Sequence, residues 1–260
     1  MTGKKKDIKV KKPSILNPVS SRSKKVAREK FKNSKLTNLR EKMIGRLSAA
    51  KFRFINQQLY EAEHRKSNDV FNDGGESFKD YHAGFRHQVK HWPINPIDVI
   101  IRSIKKLKDL DKMVIADFGC GEAKLASELP TAKVFSLDLV ALNDKVIECD
   151  MSSTNLYSSS IDIAVYCLSL MGKELSPYIK EANRVLKIGG LLKIAEVESR
   201  FDKIEEFILL MKKYGFDLIS KDLSHNLFYF LNFKKISDIS KSQKKKLPCI
   251  QLAPCMYKKR

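Results

Sequence analysis

From Met113 onward, apolar runs of strand length alternate with helix-like segments. The runs are MVIADF, KVFSLDL, KVIECD, IDIAVYCLSL and GGLLKIAEV. Short, continuously apolar strands that alternate with helices are typical of a parallel sheet covered on both faces. The sequence therefore predicts an α/β fold with a mostly parallel sheet.

The alternation ends with two strand-like segments that follow one another directly. FDLISKDLS and LFYFLNFKK are separated only by a turn around His225 and Asn226. Two such segments joined by a short turn predict an antiparallel β-hairpin. The expected sheet has seven strands, with this hairpin at its end.

Residues 35–110, ahead of the predicted core at residues 111–235, show helical periodicity. Ser77 is a candidate cap for a second helix that stops at Pro93, and Asn95 with Pro96 can start a third. The first helix is predicted from Leu36 to about Leu59, with one apolar face formed by Leu39, Met43, Leu47, Ala50 and Phe54. We expect these helices to form a lid or platform.

The formal charge of +20 is concentrated at the two ends of the chain. Residues 1–51 hold 17 Lys/Arg against 3 Asp/Glu, and residues 234–260 hold 9 against 1. Lys, Ser and Pro dominate residues 1–34, which predicts a disordered basic arm, and residues 236–260 are predicted to be a basic tail. Basic arms on a nearly neutral body favour a nucleic-acid partner. A solubilising role and a nuclear address stay open as other interpretations.

The cysteines and the hydropathy of the sequence indicate the cellular compartment of the protein. The five cysteines form no CxxC pair and no zinc-type spacing, so no metal site is predicted. The first ten residues lack the apolar run of a secretory signal, and no stretch approaches the ~20 apolar residues of a membrane helix. We expect a soluble intracellular protein with reduced thiols and no membrane partner.

The segment IADFGCGEAKLA, residues 115–126, places a glycine turn between the first strand and a helix-like segment. Glycine at such a turn lets a phosphate or a nucleoside approach the backbone closely. The dinucleotide fingerprint would need a third glycine where Lys124 stands. The turn alone leaves open a structural turn, a nicotinamide-dependent dehydrogenase and a site for another nucleoside cofactor.

Acidic residues follow three successive strands: Asp117 the first, Asp138 the second and Asp150 the third. A carboxylate at the position of Asp138 can accept hydrogen bonds from both ribose hydroxyls of a nucleoside. Asp150 with Met151 suits the exocyclic amine and the face of an adenine. Because the carboxyl ends of the strands line one crevice of an open sheet, these residues predict a nucleoside site there.

These motifs, followed by LKIGGLLKIAE at residues 186–196, resemble the class I S-adenosylmethionine-dependent methyltransferases. Ile188 stands where that last motif usually has Pro. Longer segments, among them YHAGFRHQVKHWP, ADFGCGEAKLA, AVYCLSLMG and QLAPCMYKKR, are similar to the ribosomal RNA-processing protein 8, or nucleomethylin, family. The resemblance extends from about Phe52 to the C-terminus. It implies a Rossmann-like class I methyltransferase fold, S-adenosylmethionine as cofactor and N1 methylation of an adenosine in large-subunit ribosomal RNA.

The resemblance also implies a location, partners and a site. It suggests a nuclear, nucleolar enzyme that binds ribosomal RNA in the pre-ribosome, and an animal member linked to silencing of ribosomal DNA adds chromatin-silencing proteins as partners. Carried over position by position, the cofactor contacts are His82, Gly119, Asp138, Asp150, Met151 and Cys167. His82 follows from the resemblance alone, and its place implies that the helical segment closes over the cofactor.

No catalytic residue is predicted. Between Tyr166 and Lys173 the sequence contains no Asp, Glu or His that could act as a general base. N1 of adenine has an in-plane lone pair and needs no deprotonation, so positioning and exclusion of water would suffice. The missing base also agrees with an alternative, a largely non-catalytic factor of rDNA silencing or ribosome assembly that binds the cofactor as a ligand.

Overall fold

The computed structural model describes residues 21–62, 68–71, 73, 75–255 and 257. The chain divides into two units, residues 1–47 and 48–260. The described part of the first unit is the beginning of helix α1 (Ser21–Glu61), and the second unit contains the end of α1 and the remaining elements. None of the described helices is both long enough and apolar enough to cross a membrane.

Seven strands form one mixed sheet. They are β1 (Val114–Phe118), β2 (Lys133–Asp138), β3 (Val146–Glu148), β4 (Ile161–Cys167), β5 (Leu186–Val197), β6 (Phe216–His225) and β7 (Phe228–Lys235). The order is β3-β2-β1-β4-β5-β7-β6. β1 to β5 pair in parallel, and β7 is antiparallel to both β5 and β6. The predicted seven-stranded, mostly parallel sheet with a terminal hairpin is confirmed.

Helices cover both faces of the sheet. They are α2 (Glu76–Val89), α3 (Pro96–Ile104), α4 (Lys124–Glu128), α5 (Ser176–Val185), α6 (Ile204–Lys213) and α7 (Lys241–Lys244). Because successive residues of a strand face opposite sides, Ala164 and Tyr166 of β4 belong to the core with α5 and α6, whereas Ile163 and Val165 belong to the core with α3 and α4.

The start of α3 is as predicted, and the start of α2 is not. The Asn95 side chain accepts a hydrogen bond from the N–H of Ile97 at 3.3 Å, ahead of Pro96 in the first turn. Ser77, the predicted cap of α2, lies inside that helix, and its N–H donates to the Asp73 carboxylate, with Oδ2 at 3.0 Å. The longer-reaching acidic side chain, four residues upstream, takes over the capping role.

The apolar face predicted for α1 is not the face that this helix buries. Its large members, Leu39, Met43, Leu47 and Phe54, are each more than half exposed. A different set of α1 residues is buried together with aromatic residues of the following segment: Phe52, Ile55, Leu59, Phe71, Phe78 and Tyr81. Helical spacing identifies an apolar stripe, but it does not say which of two stripes on the same helix meets the core.

Part of the predicted disordered arm is helical. Residues 1–20 lie outside the described residues, but residues 21–34 belong to α1. The sequence contains neither Pro nor Gly between Pro18 and Gly45. Lys, Arg and Glu, which are common there, are favourable in helices, so the basic composition does not prevent helix formation.

The basic C-terminal tail, residues 236–260, is in large part an integral element of the fold. Ile250 is fully buried, and its N–H donates to Ser176 Oγ at 2.9 Å. The carbonyl of Ala253 accepts from Arg200 Nε at 2.9 Å, and that of Cys255 accepts from Asn56 Nδ2 at 2.7 Å. A run of lysines flanks these contacts, but buried apolar area and backbone hydrogen bonds fix this stretch on the core.

Candidate functional site

A cavity of about 430 Å³ lies at the carboxyl ends of the parallel strands, with α2 forming one of its walls. The structure brings all six residues expected from the resemblance to its surface: His82, Gly119, Asp138, Asp150, Met151 and Cys167. Asp117, the first of the three acids noted in the sequence, also lines it. The sequence thus predicted which residues meet at one site, and their roles there stay predictions.

The glycine turn after β1 presents bare backbone to the cavity. Gly119 and Gly121 have positive φ angles of 73° and 57°. A Cβ atom added to Gly119 would lie 2.3 Å from Ser169 Cβ, and one added to Gly121 would lie 2.9 Å from His82 Cε1. Both conformation and space therefore favour glycine here, which leaves room for a ligand to approach the backbone, although the N–H groups of Gly119 and Cys120 themselves donate to the Leu137 carbonyl.

Asp138, the last residue of β2, is tied to this turn. Its Oδ2 accepts a hydrogen bond from the N–H of Gly121 at 2.7 Å, and its Oδ1 accepts from the N–H of Leu139 at 2.8 Å. Burial raises the pKa of Asp138 to about 6, although the two backbone hydrogen bonds act in the opposite direction. Because a carboxylate can accept about four hydrogen bonds, Asp138 retains acceptor capacity for a ligand.

Asp117 gives the cavity a second buried carboxyl group. It is 2% exposed, and among the described residues no donor is hydrogen-bonded to its side chain. Burial and the neighbouring charge of Asp138 raise the pKa of Asp117 to about 7. In the part of the chain that the structure describes, no Lys or Arg forms an ion pair with either acid. Two such carboxylates favour a ligand that carries positive charge.

His82 lies on α2 and contacts the glycine turn. Its ring packs on Phe78, with ring centroids 4.4 Å apart, and borders Gly121. Burial, together with the charge of Arg86, lowers the pKa of His82 to about 4. The imidazole is therefore neutral at neutral pH and can form hydrogen bonds without repelling a cation.

Asp150 and Met151 lie in the loop after β3, two and three residues beyond Glu148, so Asp150 is not at the strand end as predicted. Oδ1 of Asp150 accepts from the N–H of Ser152 at 2.8 Å. The N–H of Cys149 donates to the Asp138 carbonyl at 2.8 Å. This bond holds the loop against the end of β2 and keeps Asp138 and Asp150 on the same side of the cavity.

Cys167 is the last residue of β4, as predicted. Burial, reinforced by the charge of Asp117, raises the pKa of the Cys167 thiol. The side chain therefore stays an uncharged thiol at neutral pH, and it can contact a ligand only as a small, weakly polar group.

Sequence reasoning missed the aromatic wall of the cavity. Phe71, Phe78, Tyr81 and Phe85 line it, and the last three recur at helical spacing in α2, which indicates only an apolar helical face. Their interleaving with His82 in the segment YHAGF is the signal that could have pointed to the site. Such a wall keeps water away from a bound ligand.

Two ion pairs join the helical wall to the segment after the glycine turn. Arg86 of α2 pairs with Glu122, and Lys124 Nζ lies 2.5 Å from Asp98 Oδ1 of α3. Lys124 occupies the position of the third glycine in the dinucleotide fingerprint. In this chain the residue at that position forms an ion pair with α3 instead. Within the described residues, no group of three or more His, Cys, Asp or Glu side chains could hold a metal ion.

Comparisons with known proteins agree with this architecture. A family model described as a hypothetical methyltransferase matches residues 38–260. Ribosomal RNA-processing protein 8 of Drosophila melanogaster is 46% identical over 223 residues, which cover 86% of this chain and 61% of that protein. The 25S rRNA (adenine(645)-N(1))-methyltransferase of Schizosaccharomyces pombe is 44% identical over 240 residues, which cover 88% of this chain and 74% of that protein. This chain thus spans about three fifths of the length of the Drosophila relative.

A solved structure supports the fold. The 1,6-didemethyltoxoflavin-N1-methyltransferase of Burkholderia thailandensis, solved with bound 1,6-didemethyltoxoflavin and S-adenosylhomocysteine, aligns with a TM-score of 0.52 and 16% identity. The alignment covers 68% of this chain and 91% of that chain. At this identity the likeness concerns the fold alone, and it is the fold predicted from the order of strands and helices.

Proposed function

Since the chain belongs to the ribosomal RNA-processing protein 8 family of methyltransferases, we propose that it transfers a methyl group from S-adenosylmethionine to N1 of an adenosine in large-subunit ribosomal RNA. The observation that carries this proposal is the pair formed by the buried Asp117 and the half-buried Asp138 beside the glycine turn, in one cavity with every residue that the resemblance implies. A nucleolar role in rRNA processing, with pre-ribosomal RNA as partner, is part of the same proposal.

The residues of the cavity suit S-adenosylmethionine. Asp138 has acceptor capacity for ribose hydroxyls, and Asp150 with Met151 would receive the adenine. Gly119 and Gly121 leave room along the backbone where a Cβ atom would intrude. The sulfonium and ammonium groups of this cofactor match the carboxyls of Asp117 and Asp138 and a neutral His82. A nicotinamide dinucleotide, left open by the glycine turn, would also place a ribose on Asp138, but Lys124 stands where its fingerprint has the third glycine.

The bound cofactor supplies an electrophilic methyl group on sulfur. The task of the chain is then to hold the adenine so that the lone pair of N1 points along the line of transfer, and no proton has to be removed first. This explains why the segment after β4 functions without an acid or a base. The wall formed by Phe78, Tyr81 and Phe85 excludes water. The target base must leave its stack to expose N1, which costs on the order of a few kcal/mol.

The substitution Asp138→Ala tests the proposal at the site. It removes an acceptor for the ribose and leaves the Gly121 N–H without its partner, so we expect the affinity for S-adenosylhomocysteine to fall about 100-fold or more. RNA affinity should change little. In cells that depend on the variant, 1-methyladenosine should disappear from large-subunit rRNA, as measured by mass spectrometry of nucleosides.

Asp144→Ala is the matched control. Asp144 is an exposed acid between β2 and β3 that does not line the cavity, and its loss should change neither cofactor affinity nor the modified nucleoside. If Asp138→Ala kept the affinity of the wild type for the cofactor, the proposed role of Asp138 would be wrong.

A second candidate function is a largely non-catalytic factor of rDNA silencing or ribosome assembly. The observation that favours it is the lack of an acid or base between Tyr166 and Lys173. It predicts cofactor binding without methyl transfer to RNA, so transfer at a useful rate would exclude it as the whole function.

A further inference from the structure

Basic residues are unevenly distributed over the body of the chain. Residues 52–233, which lie between the two basic ends, contain 24 Lys/Arg and 26 Asp/Glu. Residues 86–112, which include the end of α2 and all of α3, hold seven of these Lys/Arg but only three of the Asp/Glu. A local excess of positive charge on a nearly neutral body favours an anionic partner at that surface.

Two lysines of this segment are neutralised by carboxylates. Lys105 Nζ lies 3.1 Å from Glu128 Oε2, and Lys112 Nζ lies 2.7 Å from Asp109 Oδ1. These pairs satisfy both ammonium groups within the chain, so the excess charge that can attract a ligand lies on the other cations.

Three other cations of the segment are exposed: Lys90, Arg102 and Lys106. Within the described residues, no carboxylate lies within ion-pair distance of any of them, and no group is hydrogen-bonded to their charged ends. An exposed cation without a partner is common on protein surfaces, so its presence alone does not indicate a ligand. The arrangement of these three does.

The three cations extend from the opening of the cavity to the far end of α3. Lys90 directly follows α2 and lines the cavity, as does Asn95 at the start of α3. Arg102 lies in the last turn of α3, and because Lys105 still has helical backbone angles, Arg102 and Lys106 lie on the same side of the helix. Arg102 is roughly 10 Å from Asn95 along the helix axis, since an α-helix rises about 1.5 Å per residue.

We propose that Lys90, Arg102 and Lys106 bind phosphates of the RNA strand that carries the adenosine to be methylated. This inference rests on the proposed function. A base that enters the cavity leaves its neighbouring nucleotides outside, so the strand has to pass the opening where Lys90 lies. Lys and Arg form charge-assisted hydrogen bonds with phosphate oxygens. Such contacts fix the position of the strand without reading its sequence, and α3 then guides it away from the cavity.

The double variant Arg102→Gln/Lys106→Gln tests the proposal in the full chain. In filter binding to unmodified large-subunit rRNA, its affinity should be about tenfold lower than that of the wild type. The slope of log K against log salt concentration should become flatter by about 1.4–1.8, since each lost phosphate contact removes about 0.7–0.9. Lys90→Gln should flatten the slope by about half as much. Affinity for S-adenosylhomocysteine should stay within about twofold in all three cases.

Lys212→Gln/Lys213→Gln is the control, matched in the change of charge. Both lysines are exposed and belong to the last turn of α6, which packs on the opposite face of the sheet from α3. This variant should retain the slope of the wild type. Arg102→Lys/Lys106→Arg, which conserves both charges, should also retain it, and this result separates the loss of charge from a change in structure.

Two results would overturn the proposal. One is a wild-type slope in Arg102→Gln/Lys106→Gln, which would leave this surface to an acidic protein or to solvent. The other is an equally flattened slope in the control, which would reflect net charge alone. Lower cofactor affinity in Lys90→Gln at an unchanged slope would assign Lys90 to the cofactor carboxylate and contradict its proposed role. If the wild type forms no 1-methyladenosine, the proposed function fails, whereas the slopes decide on the RNA surface independently.

Discussion

Two carboxyls, the buried Asp117 and the half-buried Asp138, set the electrostatics of the cavity. Burial makes the charged form of each carboxyl less favourable and so raises the pKa of both groups. The charge of Asp138 raises the pKa of Asp117 further. A positively charged ligand offsets this effect. S-adenosylhomocysteine has lost the sulfonium charge, so the same pair should bind the product less strongly than the substrate and assist its release.

The pKa of Asp117 makes stability depend on pH. A carboxyl whose pKa is raised on folding, here from an unfolded value near 4 to about 7, stabilises the fold below the lower value and loses that contribution as the pH rises through the higher one. Between pH 5 and pH 8 the unfolding free energy of the wild type should fall by on the order of 2 kcal/mol more than that of Asp117→Asn. Urea denaturation of both proteins at the two pH values measures this difference.

Titration of His82 does not affect the difference in pH dependence between the wild type and Asp117→Asn. Its pKa is lowered on folding to about 4, so its contribution is present above about pH 6.5 and is lost as the pH falls, equally in both proteins. Asp144→Asn, at an exposed site, should follow the pH dependence of the wild type. Parallel curves for Asp117→Asn and the wild type would contradict the assignment of a raised pKa to Asp117.

At the scale of elements, local patterns predicted the sheet well. The seven strands, the terminal hairpin and the Asn95 cap follow from residues that are neighbours in the sequence. The buried face of α1 did not follow, because Phe52 and Ile55 are selected by contacts with Phe78 and Tyr81, far along the chain. Spacing alone favoured the exposed residues Leu39 and Met43.

The site was predictable to a similar degree. The Gly turn and Asp138 could be found from strand ends and spacing, and Asp150 was found although it lies in the loop beyond its strand, whereas His82 required a resemblance to a known family. Ser169, which lines the cavity and packs against Gly119, was missed because a serine among apolar residues carries no signal in the sequence. Its distinguishing property, a buried hydroxyl without a partner, exists only in the folded chain.

The C-terminal segment gives a prediction about stability. Ile250 is fully buried in the core that also contains Tyr178 and Leu186, so Ile250→Ala should lower the unfolding free energy by about 2–5 kcal/mol. Ile236→Ala is the matched control, since Ile236 is 45% exposed and its truncation should cost about 0.5 kcal/mol or less. Equal, small losses of stability in urea denaturation would show that residues 248–255 behave as a free tail after all.

For the whole molecule, the separation of charge remains the main feature outside the cavity. Residues 1–34 contain 12 Lys/Arg and 2 Asp/Glu, and we propose that they contact RNA phosphates. Deleting them should weaken RNA binding and flatten the dependence of log K on log salt concentration by several units, because each lost phosphate contact reduces the slope by about 0.9. Filter binding between 50 and 200 mM salt measures the slope.

A protein in which residues 1–34 are replaced by a scrambled sequence of the same composition is the control. It should retain the salt dependence, since the proposed contacts depend on charge and not on order. Cofactor affinity should be the same in all three proteins. If the slope stayed the same after deletion, residues 1–34 would not contact RNA phosphates. They would then serve as a nuclear address or a solubilising segment.

The most direct measurement is the identity of the methylated product. The wild-type protein is incubated with methyl-labelled S-adenosylmethionine and unmodified large-subunit rRNA, and the RNA is digested to nucleosides. We predict that the label is recovered in 1-methyladenosine and that Asp138→Ala gives none. Label in another nucleoside would contradict the target atom, and no label despite cofactor binding would contradict the catalytic function and favour the assembly or silencing role.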